Sequence, residues 1–295
     1  MNYQYKSCFL AGLKGMLTLV LVWCTSQAFG QTVFEKALSL KMDSLIEEKA
    51  VFRSRSSFVL PSNNLQSITT PSGWGGGNAT YFFAILGAIY PSFYTVEKKP
   101  DMIGAAGISF GNSSRFVNVS ASVNVTRVSE LRDLSANIVL SRQIFKSCSI
   151  AVGGLQLFAD PAVSDAPENT YYIAFSHAIR GNRSQETGNA ALSYTIGFGT
   201  GRFLRKSPND VAAGKGKYGT GVFANVSYEV VKRLNLNAEW SGLNLGFSLG
   251  VRPLKNSAIT MGFGVFNLTN YSGDRVTYMS TIGIPIFLDR KNIQL

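Results

Sequence analysis

LNLNAEWSGLNLGFSLGVRP, residues 234–253, alternates apolar and polar residues through Trp240, breaks at Ser241-Gly242, and resumes the same alternation. Leu234, Leu236, Ala238, Trp240, Leu243, Leu245, Phe247, Leu249 and Val251 share one face, and Asn235, Asn237, Glu239, Asn244, Ser248 and Arg252 share the other. Side chains of a pleated strand point alternately to opposite sides, so period two predicts two strands, and the Ser-Gly break predicts a hairpin. A two-residue turn would pair Trp240 with Leu243 and Glu239 with Asn244, and keep one face wholly apolar. A soluble sandwich would bury that face; an outer-membrane barrel would turn it to lipid and line its lumen with the polar face.

The N-terminus points to export. Lys6 and Lys14 precede the apolar run MLTLVLVW (16–23), and Ala28 and Gly30 supply the small residues of a cleavage site, so residues 1–30 read as a secretory signal peptide. Trp23 before Cys24 argues against a lipoprotein, whose signal needs a small residue there. Removing the signal takes away two lysines and no acidic residue, so the net charge falls from +11 to +9, and Cys148 is left as the only cysteine. No intramolecular disulfide is then possible, and Cys148 reads as a small strand residue.

Charged residues make up 15 % of the chain, against about 25 % in an ordinary soluble domain. With many Gly, Ser and Asn and no helix-length apolar run after the signal, this is the profile of a transmembrane β-barrel. Residues 31–60 read as a short periplasmic helical segment, with Phe34, Leu38, Met42, Leu45 and Ile46 near helical spacing, and 61–78 as a Gly/Ser/Pro-rich linker. Alternating runs then follow from 79 to 288, among them FVNVSASVNVT, ALSYTIGFGTG and VFANVSYEV, and residues 289–295 form a tail. About twelve strands result, most near the ten residues that a tilted strand needs to cross a bilayer. The expected fold is therefore all-β: a single antiparallel transmembrane barrel of about twelve strands, preceded by a signal peptide and a short amphipathic helix. Long connections at 91–101, 159–168, 202–217 and 268–275 would face outward, and short ones at 111–114, 231–233 and 253–257 the periplasm.

TPSGWGGG (70–77), IGFGTGRF (196–203), NAEWSGLNLGFSLGVRPL (237–254) and GVFNLTN (264–270) resemble a family of uncharacterised outer-membrane barrel proteins of Gram-negative bacteria. More distantly, they are similar to the barrels of exopolysaccharide-secretion accessory proteins. The resemblance spans roughly residues 70–287 and implies fold and location but no catalytic residue. The chain departs from many such barrels in continuing past Phe287 with LDRKNIQL instead of ending on an aromatic residue.

Catalytic, metal and cofactor sites are not expected. The single histidine, His177, falls on the lipid-facing side of its strand, and Ile179 stands where the outer-membrane phospholipase pattern needs a serine. Asp160, Asp165 and Glu168 come without a histidine, and one His and one Cys make no metal site. GFGTG and GKGKYG lack the spacing of phosphate-binding loops, and the strand glycines are better explained by close packing inside a narrow barrel.

Asn225, Glu229, Glu239, Asn244 and Arg252 are expected to line the lumen, with Glu239 between Asn225 and Asn244. Arg202, Arg205, Lys206, Lys215 and Lys217 form a basic outer loop suited to lipopolysaccharide phosphates or anionic solutes. The function expected is a small non-enzymatic channel or an accessory to polysaccharide export, located in the outer membrane. Its partners would be lipid, lipopolysaccharide, the barrel-assembly machinery and export components, and no nucleic acid. The alternatives are an interaction barrel with a filled lumen and a soluble exported β-protein.

Overall fold

The computed structural model describes residues 59–91, 100–128, 132–159, 169–185, 189–255, 257–273 and 275–288. The signal peptide, nearly all of the helical segment 31–60, the tail 289–295, Asp160, Asp165 and Glu168 lie outside them.

Twelve strands form a closed antiparallel barrel. They are β1 (Tyr81–Tyr90), β2 (Asp101–Gly111), β3 (Asn118–Arg127), β4 (Arg132–Phe145), β5 (Cys148–Leu157) and β6 (Thr170–Ala178), followed by β7 (Leu192–Gly199), β8 (Val222–Val231), β9 (Leu234–Trp240), β10 (Leu245–Val251), β11 (Thr260–Phe266) and β12 (Thr277–Phe287). Each pairs with its neighbours in sequence, and β12 closes on β1 from Tyr278↔Tyr90 to Phe287↔Tyr81. Closure leaves no strand edge unpaired, which removes the hazard of edge-to-edge association. A parallel pair, Leu60–Pro61 with Asn189–Ala190, fastens the chain entering the barrel to the β6–β7 connection.

The two faces divide as the alternation requires. Phe82, Leu86, Val123, Leu134, Ile173, Phe198, Leu236 and Phe247 are exposed on the outside, whereas Ser109, Asn118, Ser149, Ser176, Asn235 and Asn237 are buried inside. At the turn Lys232–Arg233, Val231 pairs with Leu234, and a bulge between Glu229 and Val231 restores Asn225↔Glu239.

The β9–β10 hairpin differs from the two-residue turn. Trp240 pairs with Leu245 and Glu239 with Gly246, so the connection is Ser241–Asn244. Ser241 N–H donates to the Asn244 carbonyl at 3.0 Å, and Asn244 N–H donates to Ser241 Oγ at 3.0 Å. Gly242, at φ +90°, lies so close to the chain that an added Cβ would stand 2.2 Å from the Phe203 carbonyl oxygen. Contact with this distant loop stabilises the longer turn. The shift in pairing is two residues, so no side chain changes face.

At the Ser241–Asn244 end, a 3₁₀ turn (Gly201–Phe203) and the short helix α1 (Pro208–Ala212) fold the β7–β8 connection. Phe203 sits inside with Phe223 and Tyr172, its ring 4.4 Å from that of Phe223. Gly197 and Gly199 make room for these rings, since a Cβ on either would stand within 2.4 Å of a ring carbon.

Candidate functional site

The site is the polar interior of β8, β9 and β10 together with the segment read above as a linker. β9 turns Asn235, Asn237 and Glu239 inward, β8 turns Asn225, Ser227 and Glu229 inward, and β10 sets Ser248 between Gly246 and Gly250. Residues 62–70 lie directly on this wall. Asn64 Nδ2 and Ser62 Oγ donate to Asn235 Oδ1 at 2.8 and 3.0 Å, Asn225 Nδ2 donates to the Gln66 carbonyl at 3.3 Å, and Asn237 Nδ2 donates to the Leu65 carbonyl at 3.2 Å.

Glu239 is 1 % exposed and forms the centre. Its Oε1 accepts from Ile68 N–H at 2.9 Å and Ser248 Oγ at 2.8 Å. Its Oε2 is ringed by Ser67 Oγ at 2.7 Å, Thr69 N–H and Thr69 Oγ1 at 2.8 Å, and Thr70 N–H at 3.3 Å. Successive main-chain N–H groups converging on one anion form a nest, and hydrogen bonds to an ionised acceptor are about twice as strong as neutral ones. A buried carboxylate is costly unless its oxygens are satisfied. Here five residues of one segment and one strand satisfy it, and the carboxylate in turn orders the segment.

Beyond Thr70 the segment crosses the lumen. Gly73 N–H donates to Ser176 Oγ at 2.7 Å while Ser149 Oγ donates to the Gly73 carbonyl at 2.6 Å. An added Cβ on Gly73 would stand 2.6 Å from the Ser149 carbonyl, so only glycine allows this approach. Gly76 N–H then reaches Asn118 Oδ1 at 3.1 Å, Ser113 Oγ donates to Asn78 Oδ1 at 2.9 Å, and β1 begins. Residues 59–78 are thus a luminal plug. Their density of short polar residues suits this role, because small side chains let backbone groups reach the wall.

The remaining expected lumen residues are placed as follows. Glu229 is buried and accepts from Gln185 N–H at 3.2 Å and Arg233 N–H at 3.4 Å at the opposite end of the barrel. Arg252 is buried at that same end, its N–H donating to the Arg233 carbonyl at 3.1 Å. Asn244 belongs to the β9–β10 connection and not to a strand. Its side chain accepts from Thr269 Oγ1 at 2.7 Å and donates to Asn267 Oδ1 at 3.1 Å, so it ties two end loops together instead of flanking Glu239.

The basic loop forms a lid that turns inward at Lys206 and leaves Lys217 exposed. Lys206 is 6 % exposed, with Nζ 3.8 Å from the Tyr271 ring centroid and donating to the Lys215 carbonyl at 2.7 Å, which removes it from reach of an external phosphate. Lys215 Nζ donates to the Gly273 carbonyl and lies 3.5 Å from Asp210 Oδ1. Arg202 stands over the Phe203 ring, Lys217 over the Tyr218 ring, and Arg205 pairs through its backbone with Tyr218.

Asp210, the lone acidic residue of the basic loop, is the hub of this lid. It accepts from Gly273 N–H at 2.9 Å, Ser272 Oγ at 2.7 Å and Ser207 Oγ at 2.9 Å. Burial alone would raise its pKa, but these donors and the Lys215 ammonium outweigh it and hold the carboxyl below its usual range. The sequence signal that was available is Ser207-Pro208-Asn209-Asp210, a helix start with an acidic residue three positions after the serine.

His177 faces outward, its Nδ1 3.2 Å from Tyr194 Oη. Among the described residues, no group of three or more His, Cys, Asp or Glu converges as metal ligands would.

Neither a protein family nor a curated protein matches the sequence. Among solved structures, the barrel is similar to the KdgM porin, at 12 % identity and a TM-score of 0.40, over 69 % of this chain and 98 % of that one. A KdgM porin in complex with disordered oligogalacturonate gives 12 % and 0.39, over 70 % and 98 %. Outer membrane phospholipase A from Escherichia coli gives 10 % and 0.39, over 71 % and 92 %.

Proposed function

We propose that this protein is a non-enzymatic, integral outer-membrane β-barrel whose passage is held closed at rest by its own residues 59–78. The observation that carries this reading is the nest around Glu239, which ties the plug to the wall through one carboxylate. The exterior supports the membrane part. Exposed Phe, Leu, Ile and Val recur around the barrel on strands that turn Ser, Asn and Thr inward, an arrangement suited to lipid outside and polar groups inside.

A plug held mainly by hydrogen bonds to polar groups is releasable, because water can replace those bonds when it leaves, whereas an apolar core offers no such exchange. Several buried polar atoms near the plug tip, among them Asn118 Nδ2, Ser141 Oγ and Trp74 Nε1, find no hydrogen-bond partner among the described residues in the docked state, which lowers the cost of release.

Conductance of the refolded full-length mature protein in planar bilayers tests the proposal. The wild type is expected to be closed with rare openings, and Glu239→Ala, which removes the acceptor that the plug's N–H groups share, is expected to hold open states for most of the record. Silence from both proteins, with residues 59–78 equally protected from protease, would replace this reading with that of an interaction barrel whose lumen is permanently filled.

A further inference from the structure

The wall beneath the plug is built of amides and hydroxyls. Asn225 and Ser227 of β8, Asn235 and Asn237 of β9 and Ser248 of β10 are all buried and point inward around Glu239. Charge is sparse on the inner faces. Among the described residues, the inward positions of the strands carry Asp101, Glu229 and Glu239 and no cation, and Arg252 lies one position past the end of β10.

The plug meets this wall largely with hydroxyl and main-chain groups. The Ser67 and Thr69 hydroxyls both donate to Glu239 Oε2, at 2.7 and 2.8 Å. The Ser62 hydroxyl donates to Asn235 Oδ1 at 3.0 Å and accepts from Asn235 Nδ2 at 2.8 Å, so it gives and takes as the amide opposite does. At one point the fit is incomplete. Asn237 donates from Nδ2 to the Leu65 carbonyl at 3.2 Å and to Ser248 Oγ at 3.1 Å, but its Oδ1 finds no donor among the described residues, although the side chain is fully buried. Buried acceptors are ordinarily satisfied, so this one marks a place for a donor that the plug does not carry.

We infer that, once the plug withdraws, this wall binds a neutral linear oligosaccharide. Sugar hydroxyls donate and accept as Ser62, Ser67 and Thr69 do, two neighbouring ones can donate to a single carboxylate, and a further one can meet Asn237 Oδ1. A solute without donors is rejected, because the buried amides and the carboxylate would then lose their hydrogen bonds to the plug and gain none. A polyanion is disfavoured by Glu239 at the centre of a wall whose strands turn no cation inward. The inference rests on release of the plug, as proposed above, and names the class of solute that takes its place.

The experiment compares two open forms of the full-length mature protein in planar bilayers. Ser67→Ala combined with Thr69→Pro removes two hydroxyls and one N–H that the plug gives to Glu239 and leaves the wall intact, whereas Glu239→Ala opens the passage at the expense of the wall. Maltohexaose, a neutral glucose hexamer, is expected to interrupt the current of the first form at concentrations at least tenfold below those that the second needs. Adding Asn237→Ser to the first form should raise the effective concentration several-fold. A mannuronate hexamer, of the same length but anionic, and permethylated maltohexaose, which has no hydroxyl, should leave the current uninterrupted. Should the double substitution fail to fold, Ile68→Pro, which withdraws a different main-chain donor from Glu239, takes its place. Openings that maltohexaose does not interrupt, equal block of the two open forms, or block by either control at the concentration effective for maltohexaose would overturn the inference and leave plug release standing. Silence from every variant would overturn plug release and the inference with it.

Discussion

Glu239 and Gly73 show what a single residue contributes here. The carboxylate brings its own donors into place, and the glycine removes the side chain that would otherwise hold the plug tip away from β5. Gly73→Val places carbon against the Ser149 carbonyl, at a Cβ distance of 2.6 Å, and overpacking of this kind costs about 1–3 kcal/mol. The expected outcome is a barrel that still forms but is cut within residues 59–78 under limited proteolysis conditions that leave the wild type intact. Equal resistance of the two proteins would mean that the tip is not held at Ser149 and Ser176. On the outer face, Leu236 is 48 % exposed and pairs with Tyr228 and Leu249. An arginine on the lipid face near the bilayer midplane costs about 2–4 kcal/mol. Leu236→Arg should therefore refold into bilayers with clearly reduced yield, while Asn237→Ser, one residue on and facing the lumen, should refold as the wild type does.

Among the elements, the lid has the clearest condition dependence. Asp210 links α1 to the β11–β12 connection through Gly273 and Ser272, and its carboxyl is held below the usual range. A depressed carboxyl contributes stability that is present above its unfolded pKa and is lost as pH falls through the folded value, so the lid is tight at neutral pH and loosens below about pH 4. Trp240 reports on this, since its ring lies 6.0 Å from that of Tyr271 in the same connection. Its emission should change on acidification in the wild type, and Asp210→Asn should already show the acid-like signal at pH 7 and titrate little. Identical acid profiles for the two proteins would separate the lid from Asp210.

For the molecule as a whole, strand order and connection lengths set a topology. The plug enters beside Asn189–Ala190, at the end that also holds the Lys232–Arg233 turn, and the lid closes the opposite end. In an outer membrane, the plug end would face the periplasm. Single cysteines at Lys217 and Lys232 in a Cys148→Ser background should then differ on whole cells: a membrane-impermeant maleimide should label the first and spare the second. The reverse pattern would invert the barrel.

The strand count, the division of faces and the pairing of Asn225 with Glu239 were legible in the sequence, because alternation is a local property and a parity error would turn every leucine of LNLNAEWSGLNLGFSLGVRP to the wrong side. Glu239 itself stood out as an acidic residue on the polar face. Its partners did not, since the donors that surround it lie some 170 positions earlier in a stretch whose composition reads as loop. The same holds for Lys206, which local charge counting makes a surface cation and the Tyr271 ring makes a buried one. Whether Ser241–Asn244 is a tight turn or a wider one likewise depended on Phe203, at the far side of another connection. What the chain determined by itself was the wall of the barrel, through side-chain period and backbone pairing between neighbours. What occupies the interior and covers the end was decided only in three dimensions, where segments distant in sequence compete for the same hydrogen-bonding groups.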